Sequence, residues 1–436
     1  MLASVLVVAA SICANSAETD LLAKLPSVFD KAAANYRVLE SAAAKRIGET
    51  DKKGALLTPH GFKRATGELD MRSIYWWTSG HFAGSLWYLY EATDDAFFRD
   101  RAKVWTERLA PNAEVDTNHD LGFIMYCSFG NARRLMKTDA YDALIVRTAE
   151  TLSLRFNPSL GLIRSWGKRD QKKDFLVIPD NLMNLELLEA AAQLGRRASC
   201  PSRSGAGACD GRDAHRPSVG TCDGRDAHRP SAGDRFDEIA RSHADVTMRH
   251  HFRADGGTYH VLDYDQATGR VQGIKRGQGA SCETAWSRGQ SWAIYGYAMM
   301  YRFTKDRRYL GFAQKLADYA IGHVNMPADG IPFWDYGAPG EERDSSAGSI
   351  MASGLLELST FVGGEKGATY RAFAVKQLLS LASDDYFAKP DELGGFILRH
   401  GVGHKPANSE VDTPLDYGDY YFLEGLLRFR NLVKGK

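Results

Sequence analysis

The chain has 436 residues and a formal net charge of +1. A balance this even gives no electrostatic reason to expect a nucleic acid or a membrane surface as a partner. The length is compatible with one large domain, since barrels and helical toroids of this size fold as single units. Aromatic residues make up 11% of the chain and concentrate in polar surroundings such as 75–82, a mixture that suits sugar-binding clefts and also occurs in ordinary cores.

The first 17 residues have the pattern of a secretory signal peptide. An apolar run at 2–10 is followed by small residues at 14, 16 and 17, which offer a cleavage region. No Lys or Arg precedes the run, and a buried N-terminal helix is the alternative. The signal interpretation predicts a periplasmic or secreted protein with a mature part at 18–436. No other segment is long and apolar enough to span a bilayer.

Beyond this segment the sequence predicts helices almost throughout, joined by short polar turns. Similar turns recur at 93–98, 138–141 and 304–309, each with a polar residue suited to cap a helix and an aromatic residue that opens the next apolar face. Apolar residues then follow at helical spacing, as at Leu316 and Ala320. Helix–turn–helix units that repeat along a chain predict a solenoid or a closed ring of helix hairpins.

The stretch from Arg196 to Gly233 interrupts this pattern. It is rich in Arg, Ser, Gly, Pro and Asp, and it contains the same ten residues twice, at 209–218 and 222–231. This composition is typical of disorder, and the flanking segments complete another short helix–helix turn. We therefore predict a low-complexity surface insertion at about 196–233 within a single catalytic domain. Its cysteines lack the paired spacing of zinc ligands, so no metal site is expected there.

The six cysteines do not form a disulfide framework. Outside the predicted signal and the insertion only Cys127 and Cys282 are left. Pairing between these two stays open from the sequence.

Polar residues that a helical core would not select occur in three stretches, 118–123, 177–185 and 260–292. Asp120 and Asp180 each precede an apolar helical run, and a helix cap is one interpretation of both. The other is a carboxyl group at the mouth of a ring of helices, where burial would raise its pKa and suit it to donate a proton. Arg288 lies between Trp286 and Trp292, where an arginine is suited to bind a substrate carboxylate or to make a surface cation–π contact.

Seven short motifs carry a more specific signal. They are W-T-S-G-H-F at 77–82, H-D-L-G-F at 119–123, D-N-L-M-N-L at 180–185, T-Y-H at 258–260, T-A-W-S-R-G-Q-S-W at 284–292, D-S-S-A at 344–347 and G-D-Y-Y-F-L-E at 418–424. In this order they resemble the unsaturated glucuronyl hydrolases of glycoside hydrolase family 88, and the resemblance extends from about Trp77 to Arg428. It implies an all-α fold, the (α/α)6 barrel, in agreement with a ring of helix hairpins.

The resemblance also implies roles for individual residues. Asp180 matches the catalytic acid/base of the family, and Asp120 matches its second essential acidic residue. Six further residues match positions that line the sugar subsite: Trp77, His260, Gln278, Trp286, Arg288 and Trp292. Ser79 and His81 depart from the family pattern, which has Asp and an aromatic residue there. No metal ion and no organic cofactor is needed for the implied reaction.

The implied activity is removal of the 4,5-unsaturated glucuronyl residue from the non-reducing end of oligosaccharides that polysaccharide lyases release. We expect Asp180 to protonate C4 of the double bond and then to activate the water that adds at C5, with Asp120 raising its pKa. An unsaturated rhamnogalacturonyl hydrolase of family 105 is the nearest alternative, and the 287–290 motif and His260 favour family 88. A sugar-binding toroid without activity and a sugar epimerase are further alternatives. The aglycone, its sulfation and the oligomeric state stay open.

Overall fold

A computed structural model describes residues 2–199 and 232–435. Its longer helices, one of them a π-helix, are α1 (Leu2–Thr50), α2 (Ser79–Thr93), α3 (Ala96–Glu107), the π-helix (Gly122–Gly130), α4 (Asn131–Met136), α5 (Asp142–Ser153), α6 (Asn181–Ser199), α7 (Ala232–His250), α8 (Ser287–Thr304), α9 (Arg307–Gly322), α10 (Ser345–Phe361), α11 (Gly364–Leu381) and α12 (Asp416–Val433). Short 3₁₀ turns are Asp51–Lys53, Ala110–Glu114, Leu393–Gly395 and Lys405–Ala407.

Three small antiparallel sheets accompany the helices. Their strands are β1 (Leu57–Lys63) with β2 (Glu68–Ser73), β3 (Phe156–Asn157) with β4 (Leu162–Ile163), and β5 (Phe175–Val177), β6 (Val261–Tyr264) and β7 (Val271–Lys275) in that order. In the third sheet Leu176 pairs with Asp263, and Leu262 pairs with Ile274. The strands belong to loops between helices, so the protein is all-α in class.

The helices form two concentric layers. The inner helices α2, the π-helix, α6, α8, α10 and α12 contact one another in this order, and α12 packs back onto α2. Helices α3, α7, α9 and α11 each pack outside the inner helix that precedes them, while α1 and α5 complete the outer layer. This closed ring of helix hairpins confirms the predicted (α/α)6 barrel.

Burial follows the two layers. In α8 every residue from Ser287 to Met300 is buried, because an inner helix is surrounded by protein on all sides. The outer helix α9 buries only one face, formed by Tyr309, Ala313, Leu316, Ala317 and Ala320. The helical spacing predicted for this segment is therefore confirmed.

Two of the three predicted turns have the expected caps. Asp95 accepts a hydrogen bond from the Phe97 amide at 2.9 Å, and Asp306 accepts one from the Arg308 amide at 2.9 Å. The turn at 138–141 differs, because α5 begins after Tyr141, whose side chain makes no capping hydrogen bond. The polar residue of that turn, Thr138, accepts from the Ala140 amide instead.

The predicted insertion leaves the barrel between α6 and α7. Residues 200–231 lie outside the described residues, and the two helices that flank them pack against each other. Gly195 and Gly233 meet so closely that a Cβ atom on Gly195 would lie 3.1 Å from the Gly233 backbone. The two ends of the segment therefore leave from one place, and the helices on either side keep their packing.

Three further sequence expectations concern the chain as a whole. Cys127 and Cys282 are both free, so the open question of a bridge between them is answered. Among the residues that the structure describes, no helix has the length and apolar character needed to cross a bilayer. The signal peptide at 1–17 stays a prediction.

One buried acid at the α6–α7 contact gives a prediction about stability. Burial, together with the nearby charge of Asp237, raises the pKa of Glu189 to about 8. In the unfolded chain Glu189 loses its proton near the ordinary pKa of a glutamate, whereas in the folded protein it keeps the proton up to about pH 8. The free energy of unfolding therefore falls as pH rises between these two pKa values, by on the order of 4 kcal/mol. We expect Glu189→Gln to unfold at higher urea concentration than wild type at pH 8.5 and at a similar one at pH 4.5. The exposed neighbour Glu238→Gln is the control, and equal shifts in both variants would contradict the prediction.

Candidate active site

A cleft of about 270 Å³ lies at the end of the barrel where the inner helices begin. Trp77 stands two residues before α2, Asp120 two before the π-helix and Asp180 one before α6, while Arg288 is the second residue of α8. All four line the cleft. Residues distant in the sequence meet here because each inner helix starts at the same end of the ring.

The predicted site residues divide into two sets. Trp77, Asp120, Asp180, Gln278 and Arg288 line the cleft directly. The other three pack behind this lining: His260, Trp286 and Trp292. The structure thus brings all eight predicted residues to one end of the barrel.

The residues behind the lining hold the cleft in shape. The His260 ring packs on Trp286 with 4.2 Å between ring centroids. Its Nδ1 accepts a hydrogen bond from the main-chain N–H of Gln278 at 2.7 Å. Burial lowers the pKa of His260 to about 3, so this histidine is neutral. Trp292 packs against Phe123 at 5.0 Å between ring centroids. His260 therefore positions Gln278 and carries no charge for the substrate.

The Asp180 carboxyl has the environment of a proton donor. Asp180 is only 7% exposed, and no group of residues 2–199 and 232–435 makes a hydrogen bond of good geometry to its Oδ2. Burial raises the pKa of Asp180 to about 6, against the opposing charge of Arg288 and the neighbouring Trp292 indole. A carboxyl group whose pKa lies near neutrality gives and takes a proton readily.

Asp120 is tied to Asp180 through a residue that the sequence did not single out. The Asn184 amide nitrogen donates to Asp120 Oδ1 at 3.2 Å and to the Asp180 carbonyl at 3.3 Å. The Asn184 oxygen accepts from the Phe123 amide at 2.9 Å. Asn184 lies one helical turn after Asp180 in a matched motif, and this spacing is the signal that could have revealed it. Asp120 thus lies in the cleft and does not cap the π-helix.

The coupling between the two acids differs from our expectation. Burial, followed by the charge of Asp180, raises the pKa of Asp120 well above its usual value. We expected the charge of Asp120 to raise the pKa of Asp180, yet burial is the main cause there. Burial therefore favours the protonated form of both acids, and the charge of Asp180 adds to this effect at Asp120.

Arg288 makes the cation–π contact of the alternative interpretation, but it makes it in a buried place and not at the surface. Arg288 is 1% exposed, and its guanidinium carbon lies 4.5 Å from the centroid of the Trp286 ring. It donates to Gln278 Oε1 at 2.6 Å, to the Gly403 carbonyl at 2.9 Å and to the Val402 carbonyl. The guanidinium thereby holds the 401–410 loop beside the cleft. Its contact with a substrate carboxylate stays a prediction.

A cluster of charged side chains lies beside the cleft, where β1, β2 and the 401–410 loop meet. It consists of His60, Asp70, Arg72 and Glu410. Arg72 donates to Asp70 at 2.7 Å and to Glu410 at 3.2 Å, and His60 Nε2 lies 3.0 Å from Glu410. Burial lowers the pKa of His60, but hydrogen bonds to Asp416 and Glu410 outweigh it and raise the pKa to about 9. His60, Asp70 and Glu410 lie close enough to ligate a metal ion, but the Arg72 guanidinium already bonds both carboxylates.

Several cleft residues were not predicted from the sequence. They are Arg72, Trp76, His119, Trp166, Ile178, Gly403, His404, Ser409 and Glu410. His119 and Ile178 lie inside the polar stretches, and Trp76 lies in the aromatic segment 75–82, so these had a local signal. The others come from loops with no helical period.

The two departures from the family pattern have structural roles. Ser79 Oγ donates to the Ile74 carbonyl at 2.7 Å, which fixes the chain before α2. Burial lowers the pKa of His81 to about 3, so the ring is neutral. It packs edge-on to Trp77 at 6.2 Å and against Phe123 at 5.3 Å between centroids. A neutral imidazole thus fills an aromatic position next to Trp77.

An (α/α)6 barrel with two buried carboxyl groups and tryptophans in a cleft at one end defines a glycosidase-type enzyme. No family model matches the chain. The unsaturated glucuronyl hydrolase of Formosa agariphila is 38% identical over 365 residues, which cover 82% of this chain and 80% of that protein. The unsaturated chondroitin disaccharide hydrolase of Streptococcus pyogenes is 31% identical over 81% of both chains. The chain belongs to the unsaturated glucuronyl hydrolases, which are glycoside hydrolases.

Solved structures of unsaturated glucuronyl hydrolases share the fold of this chain. The crystal structure of an unsaturated glucuronyl hydrolase specific for heparin matches with a TM-score of 0.77 and 37% identity, covering 93% of this chain and 98% of that chain. The unsaturated glucuronyl hydrolase of Bacillus sp. GL1 matches with a TM-score of 0.75 and 25% identity, covering 93% and 97%. Both coverages show that the likeness includes the whole barrel.

Proposed function

We propose that this enzyme removes the terminal 4,5-unsaturated glucuronyl residue of lyase-generated oligosaccharides by hydration of its double bond, with Asp180 as the proton donor. The observation that carries this assignment is the buried Asp180 carboxyl in the cleft, with a pKa raised to about 6 and one oxygen that makes no hydrogen bond within the described part of the chain. The relatives support the substrate class, because each is named for unsaturated glucuronyl or chondroitin disaccharide hydrolysis. This favours the glucuronyl assignment over the rhamnogalacturonyl, sugar-binding and epimerase alternatives.

The substrate's own electrons determine the order of steps. The C4=C5 double bond adjoins the ring oxygen and forms a vinyl ether, so protonation at C4 places the positive charge on C5, shared with that oxygen. Water adds at C5 and loses a proton to the Asp180 carboxylate. The resulting hemiketal opens, and the aglycone leaves with its oxygen. Because the anomeric carbon is never attacked, the separation of two carboxyl groups does not predict the stereochemistry here.

Asp120 supports this cycle through its raised pKa, which favours the neutral form of its carboxyl group. Once Asp180 has given its proton to C4, it carries a negative charge next to Asp120. An ionised Asp120 would repel that charge, whereas a neutral carboxyl group can donate a hydrogen bond to it. Asn184 fixes the position of the two residues relative to each other, since it donates hydrogen bonds to the Asp120 side chain and to the Asp180 main chain.

The pH dependence of the reaction tests the assignment. Asp180 must be protonated to act, and its pKa is about 6. We therefore expect kcat/KM for unsaturated chondroitin disaccharide, followed by loss of ultraviolet absorbance, to fall about tenfold per pH unit above that value. The same profile in Asp391→Asn, an exposed residue outside the cleft, is the control. A rate constant that stays level up to pH 8 would contradict Asp180 as the acid.

The predicted periplasmic or secreted location is a separate proposal, supported only by the pattern of residues 1–17. Edman sequencing of the mature protein after expression in its own host tests it. A mature N-terminus near residue 18 would support export, and an intact first segment in a cytoplasmic fraction would refute it.

A further inference from the structure

We propose that a cationic surface beside the cleft binds the anionic sugars that follow the cleaved residue in longer substrates. We call this surface the basic rim. It consists of seven exposed cations: Lys168, Arg169, Lys172, Lys173, Arg270, Lys275 and Arg276. The inference rests on the proposed function, because it extends that substrate beyond its first glycosidic bond.

The rim is one surface built from two segments of the chain. The 164–174 loop leads into β5, and Arg270 to Arg276 spans β7 and its ends. β6 joins the two segments by pairing with β5 on one side and β7 on the other. The Gln266 side chain, from the turn between β6 and β7, donates to the carbonyls of Gln171 at 3.1 Å and Lys172 at 2.7 Å. Hydrogen bonds between the two segments therefore fix the loop against the sheet.

The rim adjoins the cleft at both segments. Trp166 lines the cleft and lies two residues before Lys168 in the loop, with 38% of its surface exposed. Gln278 also lines the cleft and lies two residues after Arg276. A cleft of about 270 Å³ is at the small end for ligand pockets. The later sugars of an oligosaccharide must therefore leave it, and the basic rim borders its opening.

The charge of the rim is mostly uncompensated. Arg169 lies 3.4 Å from Asp116, and Lys275 lies 3.2 Å from Asp263. Among the described residues, the remaining five rim cations have no carboxylate within ion-pairing distance: Lys168, Lys172, Lys173, Arg270 and Arg276. Two exposed acids, Asp170 and Asp174, lie in the same loop, and Lys275 Nζ lies 4.0 Å from Asp174. The seven cations still outnumber the acids beside them, whereas the whole chain carries a net charge of only +1, so the rim is a local excess of positive charge. Such a surface attracts a polyanion and raises its concentration at the adjacent cleft.

The chemistry of the surface fits an anionic oligosaccharide in particular. Carboxylates and sulfates recur along uronic-acid polysaccharides, so one chain can form ion pairs with several cations of the basic rim at the same time. Exposed apolar groups lie among the cations, with Val271 at 36%, Ile274 at 42% and Trp166 at 38% of their surface. Apolar side chains suit the faces of sugar rings, whereas a bare polyphosphate offers them nothing to contact.

The test separates binding at the rim from catalysis. A fluorescently labelled chondroitin sulfate octasaccharide with a saturated terminus carries no double bond, so its binding does not depend on the proposed reaction. We expect the triple variant Lys168→Ser, Lys172→Ser, Lys173→Ser to bind it about tenfold more weakly than wild type at low salt. We also expect a shallower dependence of its Kd on salt concentration, because fewer counterions are released. A matched triple variant of exposed lysines elsewhere, Lys31→Ser, Lys45→Ser, Lys434→Ser, should bind like wild type.

Turnover gives the second readout. The ratio of kcat/KM for an unsaturated sulfated tetrasaccharide to that for the disaccharide should fall about tenfold in the rim variant and stay constant in the control variant. Equal loss of octasaccharide binding in both variants, or equal affinity of wild type for a polyphosphate of the same charge, would overturn the proposal. Octasaccharide binding that depends on the rim, without turnover of any glucuronyl substrate, would support the rim and refute the proposed function.

Discussion

Asp180→Asn is expected to lower kcat/KM for an unsaturated glucuronyl disaccharide by about a thousandfold, within the range that removal of a general acid produces. Asparagine keeps the size and shape of the side chain but cannot transfer a proton to C4. Asp180 is 7% exposed, and among the described residues one of its carboxyl oxygens makes no hydrogen bond, so it is free to face the substrate. The measurement is the loss of ultraviolet absorbance of the conjugated double bond, with wild type and variant at equal concentration and pH.

The matched controls for this variant distinguish chemistry from folding. Removal of a buried group with a raised pKa should leave the fold intact or slightly stabilise it at neutral pH, and urea unfolding checks this. Substrate affinity, measured by fluorescence quenching of the cleft tryptophans, should change far less than the rate. A variant that retains a tenth or more of the wild-type rate would transfer the role of acid to Asp120 or another group.

Arg288→Met is expected to cost about 4 kcal/mol in free energy of unfolding, because it leaves a buried carboxylate without its counter-charge. Arg288 lies 3.5 Å from Asp344 Oδ2, and Asp344 is fully buried. The variant also loses the hydrogen bonds to Val402, Gly403 and Gln278, so its activity should fall together with its stability. Urea unfolding and the absorbance assay measure the two effects separately.

A double variant isolates the charge from the hydrogen bonds. Asp344 caps α10 by accepting from the Ser346 amide at 3.0 Å, and asparagine can keep this bond. We expect Arg288→Met with Asp344→Asn to recover part of the stability and none of the activity, since the loop is still released. Arg147→Met, at an exposed pair with Glu114, should leave the free energy of unfolding nearly unchanged, because solvent screens that pair. A similar cost at both sites would mean that Arg288 stabilises the fold only as a surface ion pair does.

The ring of helices could be predicted because its cause is local. An outer helix such as α9 shows its apolar face at a period of 3.6 residues, and caps such as Asp95 and Asp306 mark where helices begin. Asp120 and Asp180 also had a local signal, since each is a polar residue directly before an apolar run. Their meeting in space followed from the resemblance, and the closed ring supplies the physical reason.

Two partners of Arg288 could not be predicted because they are main-chain carbonyls. Val402 and Gly403 lie 114 and 115 residues away from it, and a carbonyl oxygen leaves no mark in the amino-acid type. The contact between Arg72 and Glu410 could not be predicted either, because these two residues lie 338 positions apart in the sequence. Neither segment carries a helical period that would place it. The signal peptide and the segment at 200–231 stay outside what the structure tests.

The position of α12 has a consequence for how the protein reaches its native state. This helix is the sixth member of the inner ring, and it contacts α2 on one side and α10 on the other. Its Asp419 also accepts hydrogen bonds from the amides of Ile397 and Leu398, at 2.9 and 2.8 Å. The first and last inner helices, α2 and α12, thus meet through a contact between distant parts of the chain, which forms slowly because the loop entropy is lost first. During synthesis, therefore, the apolar flanks of α2 and α10 stay uncovered until residues 416–433 have emerged, and this open intermediate is the species that a chaperone would recognise.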